Sequence, residues 1–162
     1  MHTLKLLTAA LLASVALTGC SIDVDKRVEA RDAGLPAYPG ARQVRDGDGT
    51  EGARVNINSS WFGVHVVAAK YRTGDEPEAV LSFYRQALAS YGTVTECRGN
   101  VDFKRRGEAV CHANASSKEV QLITGIKNDQ RIVVVKPHGR DTEIAIVHVR
   151  TEEGNPDPDR AS

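Results

Sequence analysis

Three thiols and five imidazoles carry most of the reactive chemistry in this 162-residue chain, and their positions sort them into groups. Cys20 closes the run Leu17-Thr18-Gly19-Cys20 at the end of an apolar N-terminal segment. Cys97 and Cys111 stand on either side of a short basic stretch, with His112 beside the second of them. His65 and His148 each fall within an apolar, β-rich segment, and His138 and Asp141 bracket Gly139-Arg140. An imidazole near a carboxylate is the usual starting point for acid–base chemistry, so Asp141 with His138 or His148 is the pair to weigh for catalysis or ligand binding. No Gly-x-Ser-x-Gly nucleophile elbow accompanies it. The simpler role for His65 and His148 is that of hydrogen-bonded core or interface residues, and for Asp141 that of a polar turn.

The segment in front of Cys20 bears on the compartment. Lys5 lies near the N-terminus, Leu6 to Leu17 is apolar, and two small residues precede the cysteine, which is the layout of a secretory signal peptide. Roughly 12 apolar positions are too few for a hydrocarbon core that needs about 20, so residues 1–19 are expected to be removed rather than to span. Leu17-Thr18-Gly19-Cys20 resembles the lipobox of bacterial lipoproteins. That resemblance implies diacylglycerol on the Cys20 sulfur, cleavage between Gly19 and Cys20 and, in many bacteria, a further acyl chain on the new amine. One chain holds a protein marginally and two or three hold it stably. It also implies export and membrane attachment, with the outer membrane favoured because Ser21 is not the Asp that retains some Gram-negative lipoproteins at the inner one.

With Cys20 carrying lipid, Cys97 and Cys111 are left together in an oxidising space, where a disulfide is their natural state. Closing a loop of about 15 residues contributes roughly 3 kcal/mol in the chain-entropy picture. The rival is a metal held by Cys97, Cys111 and His112. It lacks the Cys-x-x-Cys or His-x-x-x-His spacing of ligand sets, and no cofactor is implied elsewhere.

Charge excludes some partners. The chain has 21 Lys and Arg against 21 Asp and Glu, a formal net charge of zero, without the basic footprint that nucleic-acid binding requires. Aromatic residues make up only 5%, with Trp61 the single tryptophan, a poor basis for a stacking platform.

These residues have to be positioned by the elements between them. Ser21 to Gly34 is rich in charge and without sustained period, so residues 20–34 read as a flexible tether reaching up to roughly 45 Å at about 3.4 Å per residue. Leu35-Pro36-Ala37-Tyr38-Pro39-Gly40-Ala41 reads as a turn whose Tyr38 plugs into the domain. Asp46, Asp48 and Glu51 do not meet the spacing of a calcium loop and read as a solvated loop. Strands are expected at Arg54 to Asn58, Trp61 to Tyr71, Thr93 to Cys97, Ala109 to Ala113, Glu119 to Ile126, Ile132 to Lys136 and Glu143 to Arg150. The Trp61 to Tyr71 strand, apolar on both sides, is expected to be covered on both. Lys104-Arg105-Arg106-Gly107 reads as a hairpin turn. A helix is expected at 76–91, with Asp75 and Glu78 as a capping box, Pro77 in the first turn and Gly92 as the stop. Its stripe of Leu81, Tyr84, Leu88 and Tyr91, with Val80 and Ala87, should lie on the sheet. Residues 151–162 read as a disordered tail.

Leu35-Pro36-x-Tyr38-Pro39-Gly40-Ala41, Ala69-Lys70-Tyr71 and the Phe83-Tyr84-Arg85 helix resemble a group of uncharacterised bacterial lipoproteins, a likeness that brings no activity. The expected fold is α+β: one largely antiparallel sheet of about seven strands in a single domain, 35–150, with one main helix on one face. The other face is then curled, covered by the N-terminal segment, or open to a partner. Two functions fit: a non-enzymatic envelope protein, anchored through lipid on Cys20, that binds another envelope protein; or a small-ligand receptor or enzyme with a site between helix and sheet that uses His65, His148 or Asp141.

Overall fold

Val80, Leu81, Tyr84 and Leu88, spaced to fall on one side of a helix, form the buried stripe of α1 (Pro77–Ala89). The computed structural model describes residues 20–45, 52–59, 61–104, 108–114 and 116–153. Leu17-Thr18-Gly19 and the rest of the expected signal, the loop of Asp46, Asp48 and Glu51, Arg105-Arg106-Gly107 and residues 154–162 lie outside them. Among the described residues α1 is the single α-helix, and no helix is long and apolar enough to cross a membrane.

Helix entry differs from the expected capping box. Glu76 takes the cap position without a side-chain hydrogen bond to the helix. The Asp75 carboxylate instead accepts the Tyr38 hydroxyl at 2.7 Å, and the Asp75 carbonyl accepts Thr142 Oγ1 at 2.7 Å. Glu78 turns away to Arg85 at 2.7 Å. A buried phenol left without an acceptor costs more than helix-end N–H groups that water can reach, so the Tyr38 plug takes the carboxylate. Tyr38 also packs edge-on against Phe83 with centroids 5.3 Å apart.

The rest is sheet, and every pairing is antiparallel. In chain order the strands are β1 (Ser21–Asp25), β2 (Arg42–Gln43), β3 (Gly52–Asn58), β4 (Phe62–Thr73), β5 (Thr95–Phe103), β6 (Ala109–Ala113), β7 (Val120–Ile126), β8 (Asp129–His138) and β9 (Asp141–Glu153). Across the sheet they run β1-β3-β4-β9-β8-β7-β5-β6, with β2 on the β4 edge beyond β3. The α+β class and the single helix are as expected. Nine strands replace the expected seven because the N-terminal region adds β1 and β2.

That addition corrects the tether. Ile22 pairs with Ile57 and Val24 with Val55. A 3-10 turn follows (Ala30–Ala33), closed by Gly34 at φ 76°, and Val28, Ala30, Ala33 and Leu35 are buried. The Ala30 N–H donates to the Tyr71 hydroxyl at 2.8 Å, and the Tyr84 hydroxyl donates to the Pro36 carbonyl at 3.2 Å. Residues 28–38 therefore share the helix side of the sheet. At the other terminus Thr151–Glu153 complete β9 opposite Phe62–Val64, where the sequence placed the start of a tail.

The core lies between this layer and one sheet face. Leu122, Val133, Val135, Ile144 and Ile146 meet Val80, Leu81, Tyr84 and Leu88, all essentially removed from solvent; each such side chain contributes about 1.5–3 kcal/mol. The hairpin also follows expectation: Lys104 N–H donates to the Glu108 carbonyl at 3.0 Å. Gly99 marks where β5 leaves β7 to pair with β6. Its φ of 105° and a Cβ position 2.8 Å from the His112 carbonyl admit only glycine.

Candidate functional site

Partners directly opposite each other in an antiparallel sheet share a face, so the registers define what the uncovered side presents. One row runs Ala53, Ala68, Val147, Ile132; the next runs Val55, Val66, Val149; a third pairs Ile57 with Val64. The face opposite the helix is therefore apolar through its centre, yet these side chains are only half-buried. The expectation that the β4 strand is covered on both sides does not hold: Val67, Ala69 and Tyr71 are buried under the helix layer, whereas Val64, Val66 and Ala68 are not.

Two features bound this open face. On one side Cys97 and Ile123, which belong to it by register, are buried at 1% and 3% where the β5–β6 hairpin turns over the edge. Cys97 and Cys111 are disulfide-bonded there, with Cα atoms 5.2 Å apart. His112 is not beside the sulfurs as a ligand; its Nε2 lies 2.8 Å from Asp102. Among the described residues no group of three His, Cys, Asp or Glu is placed to hold a metal ion.

The other boundary is charged. Glu143 is nearly buried, with Arg72 Nη2 and Lys136 Nζ each 3.1 Å away and His138 Nδ1 at 3.9 Å. Burial pushes its carboxyl up, but the bonds from Arg72 and Lys136 and the nearby charge of Lys70 outweigh that and hold it below its ordinary value. A depression of about 280 Å³ lies over this strip, floored by Val134 and Ala145 and rimmed by Lys70, Lys136, Glu119 and Glu143.

The residues singled out from the sequence are split between the two ends of the sheet. His65 and His148 lie on the helix-side face, diagonal to each other, since Val67 is opposite His148 and His65 opposite Arg150. His65 Nδ1 is 2.9 Å from Asn56 Oδ1, and its Nε2 is 3.8 Å from Glu152. His148 Nε2 is 2.8 Å from Asp129 Oδ1, which also accepts Arg131 Nη1 at 2.8 Å. Burial raises the Asp129 pKa, but the His148 bond and the Arg131 charge prevail and set it below the ordinary value. The Arg131 guanidinium stacks 3.9 Å over the Tyr91 ring.

Asp141 is elsewhere. It sits opposite His138 in the β8–β9 turn, seven residues along β9 from His148 and so about 23 Å away at roughly 3.3 Å per residue. The structure gives His148 the carboxylate of Asp129 instead, a partner the sequence reading missed because only the β8–β9 register brings it close. Asp141 lines a depression of about 310 Å³ with Asp75, Glu76, Arg140 and Thr142 at the entry to α1.

No protein-family model, curated protein or solved structure matches this chain.

Proposed function

We propose that this chain is an exported protein of the bacterial cell envelope, held to a membrane by lipid on Cys20, that works by binding rather than by catalysis. The signal-like segment ending in Leu17-Thr18-Gly19-Cys20 supports the anchor. The observation that carries the binding reading is the open sheet face: Val64, Val66, Val147, Val149 and Ile132 form a half-exposed apolar surface, bounded by the paired charges around Glu143. Apolar ground of this kind, rimmed by polar groups, is what protein–protein interfaces use.

The alternative, a ligand site between helix and sheet, needs room that Tyr84, Leu88, Leu122 and Ile144 occupy. Two measurements test the proposal. Metabolic labelling with palmitate should mark the chain and lose its target in Cys20→Ala; an unlabelled wild-type chain refutes the anchor. Cross-linking in the native envelope should capture a protein with the wild type and lose it in a Val66→Glu, Val149→Glu variant that retains the disulfide and its melting temperature. Equal capture by both refutes the open face as the binding surface.

A further inference from the structure

The pairing of β1 with β3 fixes where Cys20 leaves the fold. Ser21 is opposite Asn58, so Cys20, one residue earlier, lies beside the turn that joins β3 to β4. That turn carries Trp61 and Phe62, 71% and 47% exposed, and Ile22, two residues after Cys20, is 64% exposed. The turn is locked. Ser59 N–H donates to the Phe62 carbonyl at 2.9 Å, and Ser59 Oγ accepts the N–H groups of Phe62 and Trp61 at 3.1 and 3.2 Å. Two aromatic rings, largely exposed, are thus carried side by side at the end of the sheet where Cys20 leaves it. At this end Lys127 pairs with Glu153 at 3.2 Å and Arg150 with Glu152 at 2.9 Å.

We infer that Trp61, Phe62 and Ile22 form a docking edge for a lipid bilayer, seating the domain directly on the membrane. The inference rests on the acylation of Cys20 proposed above. Tryptophan favours the boundary between headgroups and acyl chains because its ring is apolar and its N–H is polar. An acyl chain on Cys20 would enter the bilayer beside it. With residues 21–25 engaged in β1 there is no slack chain to hold the domain away.

Trp61 is the only tryptophan of the chain, so its emission reads this turn alone. The full chain, expressed with its own signal and extracted from membranes, is reconstituted into phosphatidylethanolamine–phosphatidylglycerol vesicles with and without bromine on the acyl chains. The mass of the N-terminal peptide reads the anchor, and Trp61 emission reads the docking. Docking gives a blue-shifted spectrum and a quench of about twofold or more by brominated lipid, as for a ring at the interface. Phe62→Asp, at an exposed site, should keep the acyl mass and return the emission towards that of Trp in water. An acylated chain whose Trp61 stays water-like and unquenched overturns the docking and leaves the anchor standing. An unmodified Cys20 overturns the anchor; the docking is then decided by the same spectrum with the unacylated chain added to the vesicles, where no shift overturns it too. Protection of Trp61 in native membranes but not in pure lipid assigns the edge to a protein partner and equally overturns it.

Discussion

Breaking the Cys97–Cys111 bond should cost this domain about 3 kcal/mol, by the entropy of closing a loop of about 15 residues in the unfolded chain. For a chain of this size that is roughly a 10 °C fall in melting temperature. The bond joins positions 14 apart in sequence and fixes β6, the last strand of the sheet order, which among the described residues pairs only with β5. The loss should therefore show at two levels. Urea unfolding followed by circular dichroism should move to a lower midpoint in the reduced protein and in a Cys97→Ala, Cys111→Ala variant, with a slope that is equal or steeper because the unfolded chain loses a crosslink and becomes less compact. Amide exchange should rise most on β6 and the second half of β5, and least on β8 and β9, because a one-sided strand opens before the centre does. If oxidised and reduced protein unfold within about 0.5 kcal/mol of each other, the reasoning fails: the hairpin would then be as constrained without the bond as with it, and the loop entropy would not be the relevant quantity.

Acid should destabilise the fold through two carboxylates. Glu143 and Asp129 both titrate below their ordinary values of 4.5 and 3.8, so their contribution is complete above those values and is lost as pH falls through the lower folded-state ones. Melting temperature measured from neutral pH to about pH 3 should drop below pH 4.5, and Glu143→Gln should start lower and fall less steeply; an identical profile for the variant removes Glu143 as a cause. Gly125→Ala should destabilise by more than about 1 kcal/mol, because φ is 108° there and the added Cβ would collide with the Asp129 carbonyl oxygen; a melt within about 1 °C of wild type would show that the β7–β8 hairpin relaxes around it.

Local periodicity made the helix and most strands legible. The apolar stripe of α1 from Val80 to Leu88 is a short-range signal that the tertiary structure reinforces, although the helix ends at Ala89 with Ser90 as its cap, short of the expected stop at Gly92, and Tyr91 stays exposed. The N-terminal region was not legible for the opposite reason. Ile22 and Val24 alternate with Asp23 and Asp25, but both stay exposed on an edge strand, so no burial pattern separates them from a charged linker. Val28, Ala30, Ala33 and Leu35 pass through a 3-10 turn, which has neither the helix nor the strand period. Asp75 had the right residue type for a cap and was diverted by Tyr38, 37 residues away. At the candidate sites the face of each histidine could be read from alternation, whereas the Asp129 partner and the open apolar face depend on strand order, which sequence alone leaves undetermined.

The length of β4 has a mechanical consequence. Its 12 residues run unbroken from Phe62 to Thr73, a rise of about 36 Å at roughly 3.3 Å per residue. The strand works as a strut: the end bearing Cys20 and the end bearing Asp75, Arg140 and Asp141 are held at a set separation, with β9 bonded along the whole of it. Whatever surface receives the first end, the second is presented at a constant height above it, like a mast head on a short base.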